Sequence, residues 1–195
     1  MESTEEPLDF LCSARRRAQD IMKMNFLGIG QACAYFGVEP SGGDMRAQEN
    51  IPFTEDALRV CARSHVLVAD FGLSISEIAA KQQSVFVHGD PAWWETEKFA
   101  KRREDPMWRL VRRISPGFVR PEVLRDQQQI LGLANDHPSA RAAVYAAACN
   151  FLETRRGMDV IVSSDTAQGG RCAGCNVVVF CDRNKLTIAG ARGAP

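Results

Sequence analysis

The sequence has no excess of charge of either sign and no long apolar segment. Lysine and arginine together number 24, as do aspartate and glutamate, so the formal net charge of the 195 residues is zero. This balance argues against a generally basic nucleic-acid binder, although it does not describe local patches. No apolar run approaches the roughly 18 residues that a membrane-spanning helix requires, so no membrane association is expected.

The amino-terminal residues lack the design of a secretory leader, in which a basic stretch precedes an apolar one. Residues 1–7 are instead acidic, and we expect the protein in the cytoplasm. The seven cysteines are odd in number, and most of them lie within apolar patterns. A cytosolic chain keeps its thiols reduced, and a buried cysteine behaves as a small apolar residue. Four cysteines are therefore expected in the core: Cys12, Cys33, Cys61 and Cys149.

One stretch, residues 64–72, organises the prediction of the fold. Its apolar run Val66–Ala69 is uninterrupted and ends at Asp70 and Gly72, which is typical of a strand buried on both faces. Open α/β sheets tend to place ligands at the carboxyl ends of such strands. Residues 84–87 form a second short apolar run. With the helix predicted between the two runs, the order resembles a minimal βαβ unit.

Helical and strand-like patterns along the chain predict an α+β fold, in which helices pack on a mixed sheet. Residues 1–45 are predicted as an N-terminal helical segment and residues 46–195 as the main domain, because a polar, glycine-containing loop is expected at 41–50. The clearest helix is predicted to open at residues 136–139 and to end at Arg156. An antiparallel β-meander is predicted at the C terminus from three strand-like runs: residues 159–163, 175–181 and 186–191.

A first hypothesis about catalysis concerns Asp70 and Glu77. An Ala-Asp pair at a strand end, followed by a helix that carries a glutamate, resembles nucleoside deoxyribosyltransferase-like and related nucleotide-processing folds. The resemblance implies that a carboxylate such as that of Glu77 attacks a glycosidic carbon. His65 is a further candidate, because it and His88 flank the two predicted strands. The alternative is structural: Asp70 caps a turn, Glu77 lies on a solvated helix face and the histidines serve the fold.

The segment from Lys98 to Arg125 carries a clear asymmetry of charge, with nine basic residues against three acidic ones. Residues 107–114 are predicted as a strand within it. Arginines bind anions through paired hydrogen bonds, and interleaved tryptophan fits stacking against bases. The alternative is a solvated surface balanced by acids elsewhere in the fold. The candidate anion-binding residues are Lys101, Arg102, Trp108, Arg109, Arg112 and Arg113.

Cys172 and Cys175 form a Cys-x-x-Cys motif before a predicted strand, and Cys181 follows at the end of that strand. A structural zinc site usually has four ligands, and neither a second such pair nor a paired-histidine motif is present. Redox motifs favour the start of a helix instead. These three cysteines are the metal-ligand candidates, and we expect that no metal or cofactor is bound.

Between Ile51 and Tyr145 the order of short motifs resembles that of a family of bacterial proteins for which no activity is assigned. The motifs are Ile51-Pro52-Phe53, Cys61–Val68, Leu73-Ser74-Ile75, Trp108–Arg112, Gln127-Gln128 and Pro138–Tyr145. The resemblance implies the boundaries of the fold and a β-rich tail. It implies no activity.

The sequence thus predicts a binding or regulatory module with an anionic partner, either nucleic acid or a phosphate-bearing ligand, bound through residues 98–125. The alternative is a nucleoside- or nucleotide-processing hydrolase or transferase that uses Asp70 and Glu77. The two hypotheses differ in a testable way. Under the module hypothesis, Arg109→Ala with Arg113→Ala should weaken binding of RNA or DNA; under the enzyme hypothesis, Glu77→Gln should abolish turnover of nucleosides. The most useful structural observation is whether Asp70, Glu77, His65 and Arg109 face one cavity. The oligomeric state is left open.

Overall fold

The computed structural model describes residues 6–87, 93–114, 120–131, 138–159, 161–168, 173–182 and 185–191. Within these ranges the chain forms an α+β fold with two three-stranded sheets, as the sequence predicts. The helices are α1 (Glu6–Met22), α2 (Ile29–Phe36), α3 (Gly42–Ala47), α4 (Glu55–Cys61), α5 (Ile75–Lys81), α6 (Lys98–Lys101), α7 (Pro121–Leu131) and α8 (Ala140–Thr154). The strands are β1 (Phe26–Leu27), β2 (His65–Asp70), β3 (Met107–Arg112), β4 (Ile161–Thr166), β5 (Asn176–Asp182) and β6 (Lys185–Ala191).

The first sheet has the order β1-β2-β3 and is mixed, with β1 parallel and β3 antiparallel to the central strand β2. Every residue of β2 is buried, which confirms the prediction of a strand covered on both faces. Because side chains alternate along a strand, Val66 and Val68 point to one core, which includes residues of α2 and α8. Leu67 and Ala69 point to a second core, built with α1, α4 and Trp108 of β3.

Helix α8 lies between the two sheets, and small side chains allow it to do so. Residues 140–151 are all buried, and the helix contacts β2 of the first sheet and β4 and β5 of the second. Ala143, Ala146 and Ala147 face the first core, where short side chains let a helix axis approach its neighbours closely. Arg141 is the one charged side chain among residues 140–151, and its partners explain its burial.

The second sheet is the antiparallel β4-β5-β6 meander that the sequence predicts. Val177 and Val179 of β5 belong to the same core as α8. Phe86 forms an isolated bridge to Leu186 of β6, and the backbone NH of Val87 donates to the Leu186 carbonyl at 2.9 Å. The segment after α5 is therefore attached to the edge of the meander.

Two local predictions are wrong. Residues 84–87 form no strand: residues 83–85 form a 3-10 turn, and the neighbours of β2 are β1 and β3 instead of a βαβ partner. An apolar run this short cannot show the two-residue periodicity of a strand, and here the run reflects burial in and after a turn. Residues 41–50 are predicted as a loop because they are polar and contain glycine, but they include helix α3. Ser41 caps this helix by accepting a hydrogen bond from the Asp44 NH at 3.2 Å.

The N-terminal segment shares a sheet with the main domain. Phe26 and Leu27 of β1 pair with Leu67 and Val68 of β2, and α1 contacts α4. The domain boundary at residue 45 stays a prediction. Among the helices that the structure describes, none combines the length and the apolar character that crossing a membrane would need.

Candidate functional site

Asp70 is the last residue of β2, and its side chain is fully buried. The backbone NH of Gly72 donates to Oδ1 at 2.8 Å, so the carboxylate closes the turn after the strand. Arg141, in the first turn of α8, donates from Nη1 to Oδ1 at 2.9 Å and from Nη2 to Oδ2. Arg109 of β3 donates from Nε to Oδ2 at 2.7 Å. The carboxylate therefore accepts four hydrogen bonds, three of them from guanidinium groups.

Glu104 joins Asp70, Arg109 and Arg141 in what we call the buried ionic cluster. Its carboxylate accepts hydrogen bonds from Nη2 of Arg109, from Nη2 of Arg141 at 3.1 Å and from Oγ of Ser139 at 2.8 Å. Burial alone would raise the pKa of Glu104, but the hydrogen bonds and charges of Arg141 and its other partners hold that pKa below its ordinary value. Two carboxylates face two guanidiniums, so the cluster is neutral.

The backbone beside the buried ionic cluster leaves no room for a side chain at residue 72. Gly72 has a φ of +72°, and a Cβ built there would lie 1.8 Å from the carbonyl oxygen of Glu104. The NH of Glu104 donates to the Gly72 carbonyl at 3.1 Å, which holds the two segments together. Tyr145 of α8 donates its hydroxyl to the Ala69 carbonyl at 3.0 Å. The end of β2 is thus joined to both β3 and α8.

Glu77 serves its own helix. Its Oε2 accepts hydrogen bonds from the NH and from the Oγ of Ser74, each at 2.8 Å, and so closes the capping box of α5. Burial alone would raise the pKa of Glu77, but Ser74 and the nearby Arg103 hold that pKa below its ordinary value. In the part of the chain that the structure describes, no hydrogen bond or ion pair joins Glu77 to Asp70.

His65 lies at the opposite end of β2 and is also fully buried. Its Nδ1 is 2.9 Å from Oγ of Ser64. Nε2 of Gln127 donates to the same Oγ at 2.7 Å, and Nη1 of Arg112 donates to Oε1 of Gln127 at 2.9 Å. We call these four side chains the Ser64 network. Sequence reasoning identified His65 and Arg112 as candidates but missed Ser64 and Gln127, because 63 residues separate that pair.

A groove of about 570 Å³ opens beside the Ser64 network, between α4 and α7. We call it the α4–α7 groove. Its apolar lining includes Val60, Ile114 and Val123, and the polar residues Ser64 and Gln127 also line it. The charged residues that line it are Arg59, Arg63, Arg120 and Asp126.

The positive charge at this groove is only partly compensated. Arg59 pairs with Glu55 at 2.6 Å and with Asp56 at 3.1 Å, both on its own helix. In the described ranges the side chains of Arg63 and Arg120 form no hydrogen bond or ion pair. An anion could therefore bind to these two guanidinium groups without first breaking an ion pair between them and a described carboxylate.

The predicted anion-binding residues do not form one surface. Trp108 is 1% exposed, packs on Phe26 with ring centroids 5.4 Å apart, and donates from Nε1 to the Gln48 carbonyl at 2.9 Å. It therefore offers no exposed face on which a base could stack. Arg109 belongs to the buried ionic cluster and Arg112 to the Ser64 network.

The remaining three candidates are more accessible. Arg113 is half-buried, whereas Lys101 and Arg102 are exposed. Arg102 lines a separate groove of about 280 Å³ together with Glu104 and Arg109. In that groove Glu104 forms an ion pair with Arg109, whereas the side chains of Arg63 and Arg120 at the α4–α7 groove form no ion pair within the described ranges.

The cysteine candidates form no metal site among the residues that the structure describes. Cys175 is buried and Cys181 is half-buried, while Cys172 lies outside the described residues, as does His88. Over the ranges given above, no group of three or more His, Cys, Asp or Glu side chains is placed to hold a metal ion. A role for Cys172 therefore stays a prediction.

Comparisons with models of protein families, with curated proteins and with solved structures gave no match to this chain. Function is therefore inferred from the side chains of the buried ionic cluster, the Ser64 network and the α4–α7 groove.

Proposed function

We propose that this protein is a binding module for small phosphate-bearing anions of nucleotide size, and that the ligand occupies the α4–α7 groove. The observation that supports this is the pair Arg63 and Arg120, two guanidinium groups without a described acidic partner at a groove of about 570 Å³. Guanidinium groups bind phosphate through paired, charge-assisted hydrogen bonds.

The size and lining of the groove suit such a ligand. Small-molecule sites commonly have volumes of about 300–1,000 Å³ and combine apolar walls with a few polar groups. Val60, Ile114 and Val123 supply apolar surface for a base or a sugar ring. Ser64, which also lines the groove, supplies a hydroxyl group to orient it.

A small ligand is favoured over a nucleic acid because the basic residues are dispersed. A polynucleotide is held by many phosphate contacts along a continuous basic surface. Here Arg109 is bound by two carboxylates and Arg112 by Gln127. Lys101 and Arg102, although exposed, are not among the residues that line the α4–α7 groove.

Titration calorimetry at low ionic strength, with ATP and with inorganic pyrophosphate, tests the proposal. Arg63→Ala and Arg120→Ala are each expected to raise Kd by about tenfold or more, since a hydrogen bond to a charged group contributes about 1.5–3 kcal/mol. The matched control is the double variant Lys101→Ala/Arg102→Ala, which removes two exposed cations outside the groove and should leave Kd unchanged. Added salt should weaken binding by the wild type through screening.

Two results would overturn the proposal. One is that neither ATP nor pyrophosphate binds at millimolar concentration. The other comes from a single-stranded oligoribonucleotide used as a third probe. If it binds, and the Lys101→Ala/Arg102→Ala variant loses that binding while the Arg63 and Arg120 variants retain it, the partner is a nucleic acid at a different surface.

The nucleoside-processing alternative has no comparable support. It requires Asp70 and Glu77 to be available at one cavity. Asp70 instead accepts hydrogen bonds from Arg109 and Arg141, and Glu77 from Ser74. A carboxylate that attacks a glycosidic carbon needs an oxygen that is free to approach it.

A further inference from the structure

We infer that Ser64 is a nucleophile, activated by His65, that hydrolyses carboxylic esters carrying an anionic group. The inference rests on the proposed function, because Arg63 and Arg120 hold the anionic group of the substrate in the α4–α7 groove. Its basis is the position of Ser64, which lines that groove and also belongs to the Ser64 network.

The hydrogen bonds of the Ser64 network run in one direction. Arg112 can only donate, so the atom of Gln127 that faces it at 2.9 Å is the amide oxygen. The amide nitrogen of Gln127 then donates to the Val60 carbonyl at 3.0 Å and to Oγ of Ser64 at 2.7 Å. Oγ of Ser64 is an acceptor in this bond, and its own proton remains for another partner.

That partner is Nδ1 of His65. It lies 2.9 Å from Oγ of Ser64, whereas the Cys61 carbonyl, a second acceptor among the described residues, lies at 3.5 Å. A base within hydrogen-bond distance of a hydroxyl is the arrangement that activates a serine nucleophile. Gln127 is a positioning residue, since its donated proton orients the serine oxygen and favours negative charge on it.

Burial separates the roles of the two residues. His65 is 0% exposed, whereas Ser64, at 4% exposed, lines the groove. Substrate therefore reaches the nucleophile without displacing the base.

The reaction proceeds in two balanced steps. Oγ of Ser64 attacks the ester carbonyl carbon while its proton passes to Nδ1 of His65; the bond from that carbon to the alcohol oxygen breaks, and the alcohol leaves with the proton from His65. Water then attacks the acyl-serine, gives one proton to Nδ1 of His65, and the acid is released as that proton returns to Ser64. The net change is ester plus water to acid plus alcohol.

A fluorophosphonate reagent tests the nucleophile in the wild-type protein, without any variant. Attack by Ser64 forms an Oγ–P bond and expels fluoride, and mass spectrometry of peptides is expected to find the adduct on Ser64. The second measurement compares the para-nitrophenyl ester of succinate, which is anionic, with that of butyrate, which is neutral. Wild type should favour the succinate ester, and Arg63→Ala/Arg120→Ala should remove that preference.

Ser64→Ala is expected to lower turnover of the succinate ester by about a hundredfold or more, the lower range of what a positioned base contributes. The matched control is Ser164→Ala, an exposed serine on β4, which should retain full activity and labelling. An unlabelled Ser64 in wild type, or full turnover in Ser64→Ala, overturns the inference. If ATP still binds in that case, the proposed function survives; if ATP does not bind while Ser64 is labelled, the proposed function alone fails.

Discussion

Replacing Asp70 by asparagine removes one negative charge from the buried ionic cluster and preserves the shape of the side chain. The amide oxygen can still accept the hydrogen bond of the Gly72 NH at Oδ1. What is lost is the charge that compensates Arg141, whose side chain is 1% exposed, and Arg109, whose side chain is 21% exposed. Glu104 is then the remaining carboxylate of the cluster against two guanidiniums.

The expected cost follows from burial. Removing one partner of a buried ion pair typically destabilises a protein by about 3–5 kcal/mol, because the other charge stays buried without compensation. For a domain of this size each kcal/mol lowers Tm by about 2–4 °C, so Asp70→Asn should lower Tm by about 6–20 °C. An exposed pair offers the matched control, since Asp56, whose side chain is 85% exposed, pairs with Arg59. Asp56→Asn should cost less than about 1 kcal/mol.

Urea denaturation followed by circular dichroism measures both variants on the same scale. The cause is checked with Arg141→Met in a double-mutant cycle, where Asp70→Asn is expected to cost less in the Arg141→Met background than alone, by about 1–3 kcal/mol. The reasoning is refuted if Asp70→Asn and Asp56→Asn have the same free energy of unfolding, or if the cycle shows no coupling.

Three further predictions concern the same region. Gly72→Ala should destabilise the fold by more than about 2 kcal/mol in urea titrations. The left-handed backbone alone costs about 1–2 kcal/mol, and the added Cβ would clash with the Glu104 carbonyl. The control is Gly30→Ala, at a helix position with space for a Cβ, which should stabilise the fold by up to about 1 kcal/mol. Since the folded state lowers the pKa of Glu104 below its ordinary value of 4.5, Glu104 contributes stability above that pH and loses it as the pH falls further. Acid titration should therefore show a shallower loss in Glu104→Gln. Tyr145→Phe should cost about 1–3 kcal/mol in thermal unfolding, because it leaves the buried Ala69 carbonyl without its hydroxyl donor.

The elements that sequence analysis predicted correctly are those whose pattern is local. The run Val66–Ala69 is apolar at every position, and β2 is buried on both faces. The signals that predict the ends of α8 and the strands of the meander are adjacent in sequence to those elements. The run at 84–87 was too short to choose between a strand and a turn, and only the tertiary structure decides it.

The partners of the candidate residues could not be predicted in the same way. Asp70 meets Arg141 across 71 positions of sequence, and Ser64 meets Gln127 across 63. Neither pairing leaves a periodic signal, because it depends on how helices pack on the sheet. The charge of Arg109 was visible in the sequence, but its burial beside two carboxylates was not. Basic residues close in sequence therefore separated into different sites.

The buried ionic cluster also controls which alignment of β2 and β3 the chain can adopt. In the native alignment Arg109 stands opposite Val68, diagonally beside Asp70, while Trp108 and Leu110 enter the other core. A slip of one residue would exchange the faces, placing a guanidinium among apolar side chains and turning the indole towards charge. The penalty for that error is several times what a lost apolar contact costs. The cluster thus disfavours misaligned pairings of β2 with β3, whatever it adds to the stability of the native alignment.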